Sequence, residues 1–377
     1  MDRPGKTFDG FTLYAHTALA DKKELATEAH LIDMRRQVVH RWSVPFSKVF
    51  PNPTHLRSRV PDEFACFFDC RLLPNGDLLA VFHALSIAGC GLARLDKDSN
   101  VLWAYPAGVH HDIDVGEDGH IYAIQREEAY ELPVDLERLA PPCKLDYLVV
   151  LSADGELLRG PISVLNAFRG TAYEVLLATL ETPSTQFVLP ADSTAPRMDY
   201  QATTTDPLHT NCVRVLNSAL AGRFPQFRAG DVLLSLRNLS VIAMLNLETG
   251  KIVWAARGPW YAQHDAQFLD NGHLLLFDNL GVPQKSRVLE YDPRTQAFPW
   301  SYSGEGGGTF FTSERGMCQR LPNGNTLIVV SESGELIEVT QDKEVVWSCS
   351  AGGSVSTARR YAADQLPFLS GDQRARP

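Results

Sequence analysis

"HDAQFLDNGHLLLFDN", residues 264–279, sets two apolar-rich runs on either side of Asn-Gly, the strongest short signal for a tight hairpin turn. Three other stretches align with it without gaps: "FDCRLLPNGDLLAVFH" (68–83), "HDIDVGEDGHIYAIQR" (111–126) and "GMCQRLPNGNTLIVVS" (316–331). In each, glycine stands eight residues after the first position, which predicts a two-residue loop joining antiparallel strands. A fifth hairpin, residues 209–238, also opens on histidine and has a turn lengthened by insertion.

A second element recurs after these hairpins, in which an apolar strand leads through a polar turn to a strand that often ends in tryptophan. Trp42, Trp103, Trp254, Trp300 and Trp347 occupy that position, and a sixth copy at 147–161 lacks the indole. A hairpin followed by two outer strands makes a four-stranded blade that cannot cover both its faces alone. Closing a ring of such blades hides the faces and protects the edges. The expected fold is therefore all-β, a six-bladed β-propeller of four-stranded antiparallel blades, with residues 1–377 as one domain. The N-terminal "GFTLYAH" (10–16) and "AHLIDMRRQVVHRW" (29–42) lack an inner hairpin of their own, so they are expected to share a blade with the C-terminus. Residues 181–207, rich in Pro, Ser and Thr, read as a long loop inserted over one face, and about 351–377 as a C-terminal tail.

Composition narrows the function. A hydrophobic content of 44% and a charged content of 21% are those of an ordinary globular chain. A formal charge of -10 provides no basic footprint for nucleic acid. No apolar run approaches the roughly 18 residues of a membrane span, and the first residues have no apolar h-region of a secretory signal. The expected location is the cytoplasm, or the periplasm if the chain is a processed form. Seven cysteines, an odd number, suggest a reducing compartment, and Cys66 and Cys70 read as strand residues because no second pair completes a zinc site.

With a two-residue loop, the first and last residues of each unit face each other on one side of the sheet. The expected pairs are Phe68 with His83, His111 with Arg126, His264 with Asn279, and Gly316 with Ser331. Inner strands of a propeller line its central channel, so His111, His209 and His264 should converge there, with Arg237 from the hairpin that holds His209. Three imidazoles can bind a metal, but a neighbouring guanidinium opposes a divalent cation. An oxyanion suits that set better, and one imidazole can act as a nucleophile. No metal and no cofactor are expected. Arg126 and Asn279 are candidates for shaping the site, with His83 behind them, and Trp260 and Tyr261 could stack on an aromatic substrate at the channel mouth. Asp112 and Asp265 read as structural partners.

The motifs "HHDIDV" (110–115), "HTNCVRVL" (209–216), "GDVLLSLRNLSVIAMLNLETGKIVW" (230–254) and "GPWYAQHDAQFLDNGHLLLFDN" (258–279) resemble the arylsulfate sulfotransferase family, the bacterial type independent of PAPS. The resemblance implies a six-bladed propeller that passes a sulfuryl group from an aryl sulfate donor to a phenolic acceptor through a sulfohistidine. It assigns the nucleophile to His264, and binding of the sulfuryl oxygens to His111, His209 and Arg237. His110 is the neighbouring candidate for the place of His111, which the hairpin alignment favours. The alternatives from the residues alone are a hydrolase or metal-dependent lyase on the same scaffold, or a non-catalytic propeller that binds protein.

Overall fold

Each of the four aligned Gly-bearing turns closes an antiparallel hairpin, but with a three-residue loop in place of the expected two. In the first unit Leu73 N–H donates to Asp77 O at 2.8 Å and Gly76 N–H to Leu73 O at 2.9 Å, and the other three units repeat the pair of bonds. Gly76, Gly119, Gly272 and Gly324 take φ of +89°, +78°, +84° and +88°. A type I turn followed by a left-handed residue needs that conformation, which glycine adopts without a Cβ clash.

The computed structural model describes residues 3, 5–19, 27–84, 87–132, 139, 141–180, 205–305 and 310–371. The described strands form six four-stranded antiparallel sheets. The blades run from Ala65–Leu72 to Val101–Tyr105, Val109–Val115 to Leu157–Ser163, Thr210–Val215 to Lys251–Arg257, His264–Phe268 to Trp300–Tyr302, and Met317–Arg320 to Val345–Ser350. The remaining blade joins Phe11–Leu19, Glu28–Ile32 and Val38–Ser43 to Gly353–Tyr361. The expected shared blade is thus present, and the expected tail is corrected over 353–361, which is that blade's innermost strand. Most of the expected insertion, 181–204, lies outside the described residues. On its far side Thr205 bridges to Cys143.

Ring closure is visible in the packing. Inner strands touch in turn from Ala65–Leu72 around to Gly353–Tyr361, which packs back against Ala65–Leu72. Six hydrophobic clusters each span two adjacent blades, where an open arc of six blades would have only five such seams. The recurring tryptophans clamp the rim. Trp42 donates to Gly76 O at 3.1 Å, Trp103 to Ala153 O at 3.0 Å, Trp300 to Gln341 O at 2.9 Å and Trp347 to Met34 O at 3.2 Å. In each case an outermost strand is tied to a turn of the next blade. All seven cysteines are buried, Cys66 and Cys70 among them.

Candidate active site

Bulges at the axial ends of the inner strands shape the site. Register shifts fall between Phe67 and Asp69, Val109 and Ile113, Thr210 and Cys212, and His264 and Gln267. A bulge leaves a residue unpaired and re-aims its side chain. His111 and Asp265 sit in two of these bulges with φ of 59° and 47°, and His209, with φ of 50°, immediately precedes the strand that carries a third. Three expected pairs meet even though the backbone ladder is displaced, two through both side chains and one through the Gly316 backbone. The Phe68 and His83 rings stack with centroids 3.8 Å apart, His264 bonds Asn279, and Gly316 N–H donates to Ser331 Oγ at 3.0 Å.

His264 is 6% exposed, and its Nδ1 lies 2.7 Å from Asn279 Oδ1 and 3.1 Å from Ala262 O. Asn279 donates through Nδ2 to Thr312 O at 3.0 Å and Arg315 O at 2.6 Å, so its amide orientation is fixed by two acceptors. Oδ1 must then accept from His264, which puts the imidazole proton on Nδ1 and the lone pair on Nε2. Burial, then the charge of Arg237, pushes His264 down to about 3, so the ring is neutral near pH 7. The preceding residue anchors the strand: Gln263 Nε2 donates to Ser235 Oγ at 3.0 Å and Val241 O at 2.9 Å.

His111 and His209 meet directly, Nε2 to Nε2 at 3.2 Å. Asp206, three residues before His209, accepts from its Nδ1 at 2.8 Å and its backbone N–H at 3.2 Å. Burial alone would raise the Asp206 carboxyl, but Arg126 and then His209 outweigh it and hold the group far below the usual carboxylate range. Arg237 opens a short 3-10 turn, donating its N–H to His209 O at 3.2 Å and Nη1 to Asn238 Oδ1 at 2.9 Å. The expected convergence of four residues is therefore met by one contacting pair, His111 with His209, and by His264 within electrostatic reach of Arg237 and His209.

A recess of about 340 Å³, open to solvent, is lined by His111, His264, Asn211, Phe68, Arg315 and Met317 among others. Phe68 is its aromatic wall, carrying His83 on one side and the Arg315 guanidinium 5.2 Å from the ring centroid. The aromatic candidates chosen from sequence are corrected. Trp260 is 2% exposed, donates to Ser240 O at 2.9 Å and packs on Tyr291 inside the blade seam. Tyr261 is 54% exposed and does not line the recess. Arg126 is corrected as well: it is turned to Asp146 at 3.0 Å and Asp206 at 3.3 Å, two carboxylates outside the repeat. Asn279 is fully buried behind His264 and outside the recess lining, so it orients the imidazole and does not face the recess. Phe68 and His83 were legible as a facing pair, whereas Asp206 and Arg315 carried no repeat signal.

Beneath the imidazoles the channel is filled by charge. Arg71 donates to Asp69 at 2.9 Å and Asp112 at 2.7 Å, and Arg214 pairs with Asp112 and, at 2.6 Å, with Asp265. The expected structural role of Asp112 and Asp265 is met here. Asp112, Cys212 and Asp265 are close enough to hold a metal ion, but the Arg214 guanidinium already supplies the cation to both carboxylates. The donor set does not fit a metal.

The fold and the axial site together define a six-bladed β-propeller with a buried, neutral imidazole beside a recess at the ends of its inner strands. Residues 175–352 match the family model described as Arylsulfotransferase (ASST), and over that stretch the chain is similar to the arylsulfotransferase family. That match supports aryl sulfotransferase activity in general, with small-molecule substrates. No curated protein matches the chain. A protein of unknown function from Bacteroides caccae is similar in fold at 13% identity and a TM-score of 0.55, covering 94% of this chain and 99% of that one. A functionally unknown protein from Desulfotomaculum acetoxidans matches at 9% identity and a TM-score of 0.47, covering 94% and 99%. A streptogramin B lyase matches at 12% identity and a TM-score of 0.43, covering 94% and 87%. Among the described residues no helix is long and apolar enough to cross a membrane.

Proposed function

We propose that the protein transfers a sulfuryl group from an aryl sulfate ester to a phenolic acceptor through a covalent intermediate on His264, without PAPS, metal or cofactor. The observation that carries this reading is the locked tautomer, in which Asn279 holds the proton on Nδ1 and leaves the Nε2 lone pair of a neutral, buried ring free to attack. In the first half-reaction His264 Nε2 bonds to sulfur, the sulfur–aryl oxygen bond breaks, and the phenol leaves with a proton. In the second, an acceptor phenol attacks the sulfohistidine, releases its proton and restores the free imidazole. The order is ping-pong.

By analogy with phosphoryl transfer, the transition state spreads negative charge over the non-bridging and leaving oxygens. Arg237 neutralises the first, and His111 with His209 serves the second. Losing one such donor costs about 3 to 4 kcal/mol of transition-state stabilisation. The test is incubation with 4-nitrophenyl sulfate, with and without phenol, followed by intact-mass analysis. A sulfuryl adduct that phenol discharges, and that His264→Ala lacks, is expected. Hydrolysis at the same rate without phenol, and no adduct, would overturn the reading in favour of a hydrolase.

A further inference from the structure

Arg315 lines the same recess as His264 and His111, and the scheme above gives it no part. It and Gly316 both take left-handed backbone, with φ of 59° and 94°. An arginine in that region is uncommon and strained, and it persists only where its surroundings hold it. Here it is held at both ends. Its carbonyl accepts from Asn279 Nδ2 at 2.6 Å, the same side chain that orients His264. Its Nη1 donates to Thr17 Oγ1 at 2.7 Å, and its guanidinium lies over Phe68, 5.2 Å from the ring centroid.

That anchoring leaves a cation without a counterion. Thr17 and Phe68 are uncharged, and among the described residues no carboxylate pairs with Arg315 and nothing accepts from its Nε or Nη2. Three carboxylates, Asp69, Asp112 and Asp265, share the lining, but all are neutralised within the channel. Arg71 pairs with the first two and Arg214 with the last two, while Arg359 stands 3.8 Å from Asp69 and 3.7 Å from Asp112. Three negative charges meet three positive ones there, so Arg315 adds a net positive charge to a recess open to solvent. A guanidinium fork anchored through one nitrogen keeps its other N–H groups for carboxylate or sulfate oxygens.

The two arginines act on different sides. Burial and then Arg237 lower His264, whereas burial, His110 and then Arg315 lower His83, which stacks on Phe68. Arg237 thus stands on the nucleophile's side and Arg315 on the side of Phe68. A recess of about 340 Å³ is of a size that takes a small molecule, so a ring whose ester reaches His264 turns its far edge toward Arg315.

We propose that Arg315 is a specificity-determining residue, selecting aryl sulfates and phenols that carry a second anionic substituent, a carboxylate or another sulfate ester, on the ring edge remote from the reacting oxygen. The inference rests on the sulfotransferase reading for the group that meets His264. It applies to both half-reactions, because donor and acceptor occupy the recess in turn.

The experiment measures KM for phenyl sulfate and for its 3- and 4-carboxy derivatives in wild type, Arg315→Met and Arg315→Lys. Neither substitution removes the carbonyl that Asn279 uses. In wild type at least one carboxylated donor should have a KM about tenfold or more below that of phenyl sulfate. Arg315→Met should abolish that advantage, and Arg315→Lys should keep most of it. Equal KM values for the three donors in wild type, or a preference that survives Arg315→Met, overturns the proposal. Calorimetry without any donor separates the two readings: 3- or 4-hydroxybenzoate should bind wild type more tightly than phenol does, and Arg315→Met should lose the difference. Such binding by a protein that transfers nothing sinks the transferase reading and upholds the preference, whereas turnover without the preference sinks the proposal alone.

Discussion

Asn279 holds His264 by accepting from Nδ1 at 2.7 Å while its own amide nitrogen is spent on Thr312 O and Arg315 O. Replacing it with alanine strands Arg315 O and leaves His264 Nδ1 and Thr312 O with only Ala262 O and Ser286 Oγ, and an unpaired buried group costs about 1 to 3 kcal/mol. Asn279→Ala should lower the urea midpoint and slow formation of the sulfuryl adduct by at least tenfold, because the free ring can place its proton on Nε2. An adduct rate equal to wild type would show that the tautomer is not set by this bond.

Acid should destabilise the fold earlier than its carboxylates alone require. His264 titrates at about 3 in the folded protein, and burial, then the charge of neighbouring His110, also holds His83 well below its ordinary value. Unfolded, both rings return to about 6.5. The unfolded chain therefore binds more protons between those values, so stability is complete above about pH 6.5 and falls as the pH drops through that window. Each ring contributes a slope of up to about 1.4 kcal/mol per pH unit. Melting temperatures from pH 7 to pH 5 should fall steeply in wild type and less steeply in His83→Phe; parallel curves would remove His83 from the account.

Arg214 pairs with both Asp112 and Asp265. Arg214→Met leaves both carboxylates buried without it, and breaking a buried pair costs about 3 to 5 kcal/mol. The variant should unfold at markedly lower urea. Chelator treatment of wild type should leave turnover unchanged, and a chelator-sensitive enzyme would instead point to an ion displacing the guanidinium.

Phe68 walls the recess between His83 and Arg315. Phe68→Ala should raise KM for aryl sulfates more than it lowers kcat, because the ring is held in the ground state and the transition state alike. Steady-state kinetics that show only a loss of kcat would move Phe68 from binding to catalysis.

The propeller was legible because its turns repeat: glycine at one fixed offset marks four hairpins, and the tryptophans mark the outer strands. Facing pairs were legible too, although bulges and the longer loop displaced the ladder under them. Arg126 was misread because its partners, Asp146 and Asp206, lie outside the aligned units. Trp260 was misread because sequence proximity to His264 says nothing about which way an indole turns. The inner strand Gly353–Tyr361 reads as a tail because it faces the polar axis. There Thr357 donates to Asp69 at 2.8 Å and Arg360 pairs with Glu338 at 2.9 Å, so the hydrophobic alternation of an ordinary strand is missing.

That last strand also sets when the enzyme can come into being. The innermost strand of the first blade is synthesised last, so a nascent chain halted before Gly353 is an arc whose two ends cannot meet. Closure of the ring therefore waits on residues 353–361, however much of the other five blades has already folded.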